Sequence, residues 1–435
     1  MKQPNRRRVR WARIVGAGAM LATSATALAG FLPSMNEKPM AAWTMVYGTE
    51  KPQQKPTMLL FGVVQPGYSY IQASPPGATT VVGNRQFKFI RLRPGVRGSI
   101  GPNIDYYFLA EFGNNPANPN NSVFGRAHVL DGNVTLNYIP GVHVQVGQML
   151  VPFGEEGLTA AGVLPWVNYS PGTYNIDFNE FASAPLPNAI AGPGNGLFNG
   201  GREMGVMAFN QIVHGPLAVD YAVGYFNGTG ISQTESSMGH PDQGFVHGGV
   251  DFGPFGLAGS YDTGRQVITG GPGAYPGESF HQTKYAIDVR FGNYTKDPLW
   301  LWYEYQHANN GQPSGKGTGK ARGWFAAAGF RPVNKFMGVF RYSTYNTENL
   351  ASVMGNAVGP APMFTPSYGT PVANPSFVTS NVSLDQDSLI GVYLARKGVR
   401  YYVEFDHTSY NHSTAPKDNA VSVMLSVPFG ARLLH

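Results

Sequence analysis

The stretch "VHVQVGQMLVPFGEEG", Val142 to Gly157, decides how the chain is read. Val142, Val144 and Val146 alternate with His143, Gln145 and Gly147, the period of a β-strand with one apolar and one polar face. Pro152 and Gly154 then break the alternation, Glu155 and Glu156 follow, and no comparable pattern returns until about residue 203. In a soluble sandwich the polar face meets water and the apolar face a core. In an outer-membrane barrel the apolar face meets lipid and the polar face lines a channel. Both give the same local pattern, so the rest of the chain must separate them.

The N-terminus sets the compartment. Lys2, Arg6, Arg7, Arg8, Arg10 and Arg13 form a basic head, an apolar run follows from Ile14 to Leu28, and Ala27-Leu28-Ala29 is an A-x-A cleavage signature. Residues 1–29 therefore read as a secretory signal peptide, with residues 30–56 as a periplasmic lead-in to a barrel over 57–435. The chain has no Cys, which excludes disulfides, thiolate metal sites and lipid or haem attached at a cysteine. After the signal, no apolar run approaches the length of about 18 residues that a membrane helix needs.

Six of the 31 basic side chains lie in the signal, leaving 25 basic against 25 acidic, so the whole-chain surplus of six gives no case for nucleic acid. Charged residues are 13% of the chain, against about 25% in an ordinary soluble domain. Aromatic residues are also 13%, and there are 56 Gly and 34 Pro. A barrel wall that meets lipid needs little charge and gathers aromatic residues at its two interfaces, while Gly and Pro serve its turns.

Period-2 patterns predict sixteen strands: 57–72, 87–99, 103–113, 126–139, 142–150, 203–212, 216–227, 244–252, 255–262, 283–292, 298–308, 323–331, 335–346, 384–396, 399–410 and 419–429. Their joints alternate in length. "GPN" (Gly101–Asn103), "IPG" (Ile139–Gly141), "GPF" (Gly253–Phe255) and "PVNK" (Pro332–Lys335) are short, whereas Gly113–Val123 and Asn346–Leu384 are long. An even strand count with short periplasmic turns and longer outer loops is the signature of an all-β, transmembrane antiparallel barrel in the outer membrane.

The strands have consistent faces. Tyr285, Ile287, Val289 and Phe291 oppose Lys284, Asp288 and Arg290; Val399, Tyr401, Val403 and Phe405 oppose Arg400, Glu404 and Asp406; Ile104, Tyr106, Phe108, Ala110 and Phe112 oppose Asp105 and Glu111. A basic residue on the lipid face at mid-depth costs about 2–4 kcal/mol, and an acid somewhat less, so the charged faces point inward. "PLWLWYEYQ" resists this rule, because Glu304 inward also turns Trp300 and Trp302 inward. Either the channel has an aromatic patch there or a bulge shifts the phase.

Val146-Gly147-Gln148, followed by Pro152-Phe153-Gly154 and Glu156, resembles the V-G-Q-x-x-x-P-F motif of the phosphate-selective porins of Gram-negative outer membranes. "LPWVNYS" (Leu164–Ser170) resembles that family's L-P-aromatic segment, and "YAVGYFNGTG" (Tyr221–Gly230) its later strand ending in F-N-G. The resemblance implies a sixteen-stranded homotrimeric porin with a loop folded into the channel, for which residues 151–202 are the natural segment. An outward extracellular cover is the other reading of that loop. Two departures weigh against phosphate. The family's aromatic segment commonly continues with an acidic–basic pair, where this chain has Asn168-Tyr169, and the expected constriction loop carries Glu155, Glu156, Asp177 and Glu180 with Arg202 at its exit and no Lys.

A partial anion case lies in "FIRLRPGVRG", where Arg91, Arg93 and Arg97 share a parity and form a basic ladder unless a bulge at Pro94-Gly95 turns Arg97 away. Two readings stay open. Inward arginines facing loop carboxylates set a transverse field across a narrow eyelet, or the arginines simply pair with wall carboxylates such as Glu111. The expected pore-lining set is Arg91, Arg93, Arg97, Glu111, Glu155, Glu156, Asp177, Glu180, Arg202, Asp288, Arg290, Glu404 and Asp406.

The expected function is passive diffusion of small hydrophilic solutes or inorganic ions, phosphate and other anions included, with outer-membrane lipid around the wall and no cofactor, metal or enzymatic step. The alternative is a barrel acting as scaffold or sleeve for a partner protein such as an electron carrier, motivated by the almost uncharged extracellular loop 346–383 and by Trp300 and Trp302. A lipid-modifying enzyme would need a Ser–His–acid set, which cannot be assembled from the sequence. His407 and His412 with Asp406 are discounted as metal ligands because an offset of five puts the two rings on opposite strand faces. "GKGTGK" (Gly315–Lys320) lacks the first Gly and the final Ser or Thr of a phosphate loop. The chain ends "SVPFGARLLH", so the last strand is expected to stop at Phe429 with a tail over 430–435, or the insertion signal differs.

Overall fold

A computed structural model describes residues 55–73, 82–113, 128–178, 201–228, 242–267, 279–311, 318–348, 350–353, 377–380, 383–410 and 417–434. The signal (1–29), the lead-in before residue 55, Glu180 and most of loop 346–383 lie outside the described residues.

Sixteen antiparallel strands close into one barrel. In chain order they are β1 (Met58–Ala73), β2 (Val82–Ser99), β3 (Ile104–Glu111), β4 (His128–Ile139), β5 (Val142–Leu150), β6 (Arg202–His214), β7 (Leu217–Phe226), β8 (Asp242–Phe252), β9 (Phe255–Val267), β10 (Ser279–Phe291), β11 (Leu299–Gly311), β12 (Thr318–Val333), β13 (Phe336–Glu348), β16 (Ser383–Leu394), β17 (Arg400–Tyr410) and β18 (Lys417–Leu434). Each pairs with its chain neighbours, and β1 closes the ring against β18. Two short strands, β14 (Leu350–Val353) and β15 (Phe377–Ser380), make a hairpin outside the ring. Every predicted strand corresponds to one barrel strand, and 142–150 coincides with β5.

The wall is sided as the alternation demands. On β17, Tyr401, Val403 and Phe405 are 50%, 55% and 43% exposed, while Tyr402, Glu404 and Asp406 between them are at most 2% exposed. Aromatic pairs ring the outer surface at two levels. Near the short turns Phe255 meets Phe291 at 5.1 Å and Tyr393 meets Tyr401 at 6.1 Å. Toward the long loops Trp324 sits between Tyr303 (6.0 Å) and Tyr342 (5.4 Å). Beyond that upper girdle the outward face becomes polar, with Asp385, Asp387 and His407 in phase with Leu389 and Phe405. This is the division between hydrocarbon and headgroup depth that an outer-membrane barrel requires.

Three sequence expectations are settled here. The β10–β11 ladder runs unbroken from Gln282↔Asn310 to Phe291↔Leu301, so no bulge shifts Trp300 and Trp302; both point inward, 1% and 2% exposed, as an aromatic patch. The irregularity in β2 is not at Pro94-Gly95, which pair regularly with Gly62 and Phe61. It lies at Ile90, an extra residue opposite the Gln65/Pro66 step. Ile90 and Arg91 both turn inward as a result, and Arg91, Arg93 and Arg97 remain on one face. The last strand does not stop at Phe429: β18 runs to Leu434, with Ala431 opposite Leu60 and Leu434 opposite Met58. The expected tail is therefore wall, because β1 begins at Met58 and offers pairing groups along that whole length.

Candidate functional site

The chain leaves the wall after Leu150 and re-enters at Arg202, with the Val151 N–H donating to the Gly201 carbonyl at 2.8 Å across the base of the excursion. Two glycines of the opening stretch have steric reasons to be glycine. Gly147 has φ 126°, and a Cβ there would lie 2.3 Å from the Gly132 carbonyl oxygen on β4. Gly154 has φ 66°, and its Cβ would lie 2.9 Å from Glu304 Oε1. The short helical turn Glu155–Leu158 follows, with every residue buried.

Residues 151–178 are held by inward side chains of distant strands. The Glu155 N–H donates to Asp288 Oδ1 (3.3 Å, β10) and the Glu156 N–H to Glu304 Oε2 (2.8 Å, β11). Gln65 on β1 donates to the Ala161 carbonyl at 2.9 Å, Arg400 to the Val163 carbonyl at 2.7 Å, and the Tyr402 hydroxyl to the Leu164 carbonyl at 2.9 Å. Val167 and Asn168 both donate their N–H groups to Glu404, and the Asn168 side chain donates to Asp406 at 2.9 Å. Buried carboxylates without a cation would be costly, but each N–H they accept stabilises the charge and satisfies a loop amide that has no ladder partner.

Arg341 on β13 is the hub of this packing. It is fully buried, its guanidinium lies 4.8 Å over the Trp166 ring, and Nη1 donates to the Asn168 carbonyl (2.8 Å) and Glu156 Oε1 (3.3 Å). Nη2 reaches Ser388 Oγ at 3.3 Å and Glu404 Oε1 at 3.6 Å. Below it Trp166 packs on Trp302 (5.3 Å) and Phe325 (5.6 Å), and Tyr294, from the turn between β10 and β11, stacks on Trp302 at 5.6 Å. Burial pushes the Tyr294 phenol up to about 12.

The expected pore-lining residues divide into groups. Arg93 Nε is 2.6 Å from Glu111 Oε2, Arg91 donates to Gln65 Oε1 at 2.8 Å and lies 5.2 Å over Tyr169, and Arg97 lies 5.6 Å over Phe61. Glu155 is 3.6 Å from Arg290, which also holds Asp251 at 3.0 Å, and Glu156 is paired with Arg341. Glu155 and Glu156 thus pair with arginines of the wall they rest on. Arg202 pairs with Asp131 at 3.2 Å. Asp177 is 1% exposed with neither carboxylate oxygen hydrogen-bonded; burial first, then nearby Glu304 and Asp262 against Lys284, holds its pKa well above the carboxylate range.

Reasoning from sequence missed Arg341, Trp166 and Gln65 as site residues. It also missed a Ser–His–acid set: Asp220, His247 and Ser260 are hydrogen-bonded across β7, β8 and β9. Ser260 Oγ rests 3.1 Å from the Pro152 carbonyl, and its strand is paired on both sides in the barrel ladder.

A closed sixteen-strand barrel with a lipid-facing exterior and a charged interior is the fold of an outer-membrane porin. Residues 64–190 match the family model described as phosphate-selective porin O and P, which takes in the V-G-Q and L-P-aromatic pieces; the third piece, at 221–230, lies beyond the match. Among solved structures the chain is similar to an anion-selective porin from Comamonas acidovorans (15% identity, TM-score 0.56, 86% of this chain and 100% of that one). It is also similar to OmpT of Vibrio cholerae in its trimer form (8%, TM-score 0.54, 86% and 100%). A third similar structure is the outer-membrane channel DcaP of Acinetobacter baumannii (12%, TM-score 0.50, 87% and 99%). No curated protein matches the chain by sequence. Family and fold together indicate an outer-membrane protein.

Proposed function

We propose that this chain is a homotrimeric outer-membrane porin for passive diffusion of small hydrophilic solutes and ions, exported by a signal over 1–29 and narrowed by residues 151–202. The observation that carries the reading is the two-sided wall, apolar and aromatic outside, with Asp, Glu, Arg and Gln turned to the interior. The contacts of residues 151–178 with inward groups on β1, β10, β11, β13 and β17 support the narrowing role. The trimer form of the similar OmpT supports the assembly.

The solute class follows from pairing. Selecting a phosphate needs cationic groups offered to the permeating ion. Arg93, Arg202, Arg290 and Arg341 each already contact a carboxylate, and Asp288, Glu304 and Glu404 add further acid to the interior. We therefore assign the channel to small solutes of either sign, without phosphate preference. A sleeve for a protein partner finds no support among the described residues, since the interior is in contact with this chain's own 151–178 segment. Purified protein in planar bilayers should give stepwise conductance and a small reversal potential in a salt gradient. Folded protein that leaves the bilayer closed overturns the porin reading, and a strong phosphate preference overturns the solute assignment alone.

A further inference from the structure

The groups that fasten residues 151–178 include one titratable chain that neither solute passage nor packing explains. Asp220, His247 and Ser260 face inward on β7, β8 and β9 and are 5%, 2% and 5% exposed. His247 Nε2 lies 2.9 Å from Asp220 Oδ2, its Nδ1 lies 2.8 Å from Ser260 Oγ, and that oxygen lies 3.1 Å from the carbonyl of Pro152. Pro152 is at the root of the segment, two residues past the end of β5. It has no N–H, so its carbonyl is the backbone group through which the wall can hold it.

We infer that Asp220, His247 and Ser260 form a proton-operated latch on Pro152, which holds the root of the segment when the imidazole is charged and lets it loosen when the imidazole is neutral. The argument is a count of hydrogens. A serine hydroxyl has one, and a neutral imidazole has one N–H while an imidazolium has two. With the ring charged, Nε2–H donates to Asp220, Nδ1–H donates to Ser260 Oγ, and the serine hydrogen is free for the Pro152 carbonyl. All three observed contacts are then satisfied together. With the ring neutral, the remaining N–H stays with Asp220, whose ionised carboxylate can only accept. Nδ1 becomes an acceptor and takes the serine hydrogen, so the Pro152 carbonyl loses its donor.

The neighbouring charges have their own partners. Asp262 on β9 is held by Lys284 of β10 (3.2 Å) and Gln243 of β8 (2.5 Å). Asp251 on β8 is held by Arg290 of β10 at 3.0 Å, and Arg290 also lies 3.6 Å from Glu155 of the segment. Asp288 of β10 accepts the Glu155 N–H, and Lys284 additionally covers the Phe153 ring at 4.8 Å. Asp220 is left as the carboxylate hydrogen-bonded to the ring.

The latch rests on the reading of residues 151–202 as the narrowing element, and the test separates the two. Single-channel conductance would be recorded from about pH 5 to pH 8, the range in which an imidazole titrates, for the wild type, His247→Gln and Ser260→Ala. Each would be repeated with Asp177→Asn to remove a second titrating group of the segment. The wild type should occupy its narrow state more in acid, and with Asp177→Asn in place the ratio of narrow to wide should still change about two- to tenfold for one hydrogen bond; adding His247→Gln or Ser260→Ala to that background should flatten it. Imidazole nitrogen shifts of His247 report its protonation independently of conduction. Conductance in the Asp177→Asn background whose pH dependence survives the addition of His247→Gln, or that narrows as pH rises, overturns the latch. A bilayer closed at every pH, with the His247 nitrogen shifts changing with pH, instead overturns the porin reading.

Discussion

On β11, β13 and β17 the inward face carries large apolar side chains near the short turns (Trp300 and Trp302, Met337 and Val339, Tyr402) and charged ones above them (Glu304, Arg341, Glu404). On β2, β3 and β4 the inward face is mostly polar, and its charges include pairs within the same wall, Arg93 with Glu111 at 2.6 Å. The first sector is a docking face: its apolar part receives Trp166 and its carboxylates receive loop N–H groups. The second meets the described part of the segment through Tyr169 against Arg91. The same strand alternation thus serves two ends, and what separates them is whether the inward residues are complementary to a peptide or only to one another.

The sharpest way to break the contrast is Arg341→Ala. It leaves Glu156 and Glu404 buried without their cation and strips the face of Trp166, and removing one partner of a buried pair costs about 3–5 kcal/mol. That loss should fall on the segment rather than the wall, because the barrel ladders on both sides of Arg341 are backbone bonds. The expected outcome is a barrel that still migrates as folded in unheated gels, with residues 151–178 open to protease and a larger unitary conductance. Unchanged conductance and an uncut segment would show that Arg341 does not hold it.

Arg93→Gln probes the other sector and should have a smaller effect. Glu111 keeps the Leu92 and Gly113 N–H groups at 2.9 and 2.7 Å, so its charge remains partly satisfied. The segment should stay protected and the conductance stay near wild type, while the reversal potential moves toward cations as one fixed positive charge leaves the wall. A variant that instead released the segment would erase the distinction between the two sectors.

The sequence displayed the wall well and the interior poorly, for a physical reason. Inward and outward residues of a strand differ in parity, which a linear pattern records directly, so all sixteen strands and the inward turn of Glu304, Glu404 and Asp406 could be read. Which inward residues meet across the bore depends on three-dimensional closure. Arg341 stands in "FRYSTYN" with the right parity but no acid near it in sequence, since Glu156 and Glu404 are brought to it by the segment and by β17. Asp220, His247 and Ser260 were hidden in the same way, being neighbours only through strand pairing. The V-G-Q and P-F-G glycines were legible as a motif, whereas their reason, close approach to Gly132 and to Glu304, needed the packed barrel.

The mildest test of the docked segment is Asp177→Asn, which acts beside Gly201 at the base of the excursion. Both Asp177 oxygens lack a hydrogen bond, and burial raises the carboxyl well above its ordinary value of 3.8, with Lys284 and Arg202 pulling the other way. A carboxyl whose packed-state pKa is raised takes up its proton more readily packed than detached. Packing is therefore strongest below the ordinary value, weakens as pH climbs from there to the raised pKa, and is level beyond it. Asparagine carries no charge to desolvate, so protection of the segment from protease should be nearly flat in the variant and fall in the wild type as pH rises above about 4. His247→Gln should leave the part of that fall belonging to Asp177 in place. If Asp177→Asn instead keeps the full wild-type pH dependence, the carboxyl is ionised and partnered while the segment is docked, and Asp177 belongs to the set of paired charges.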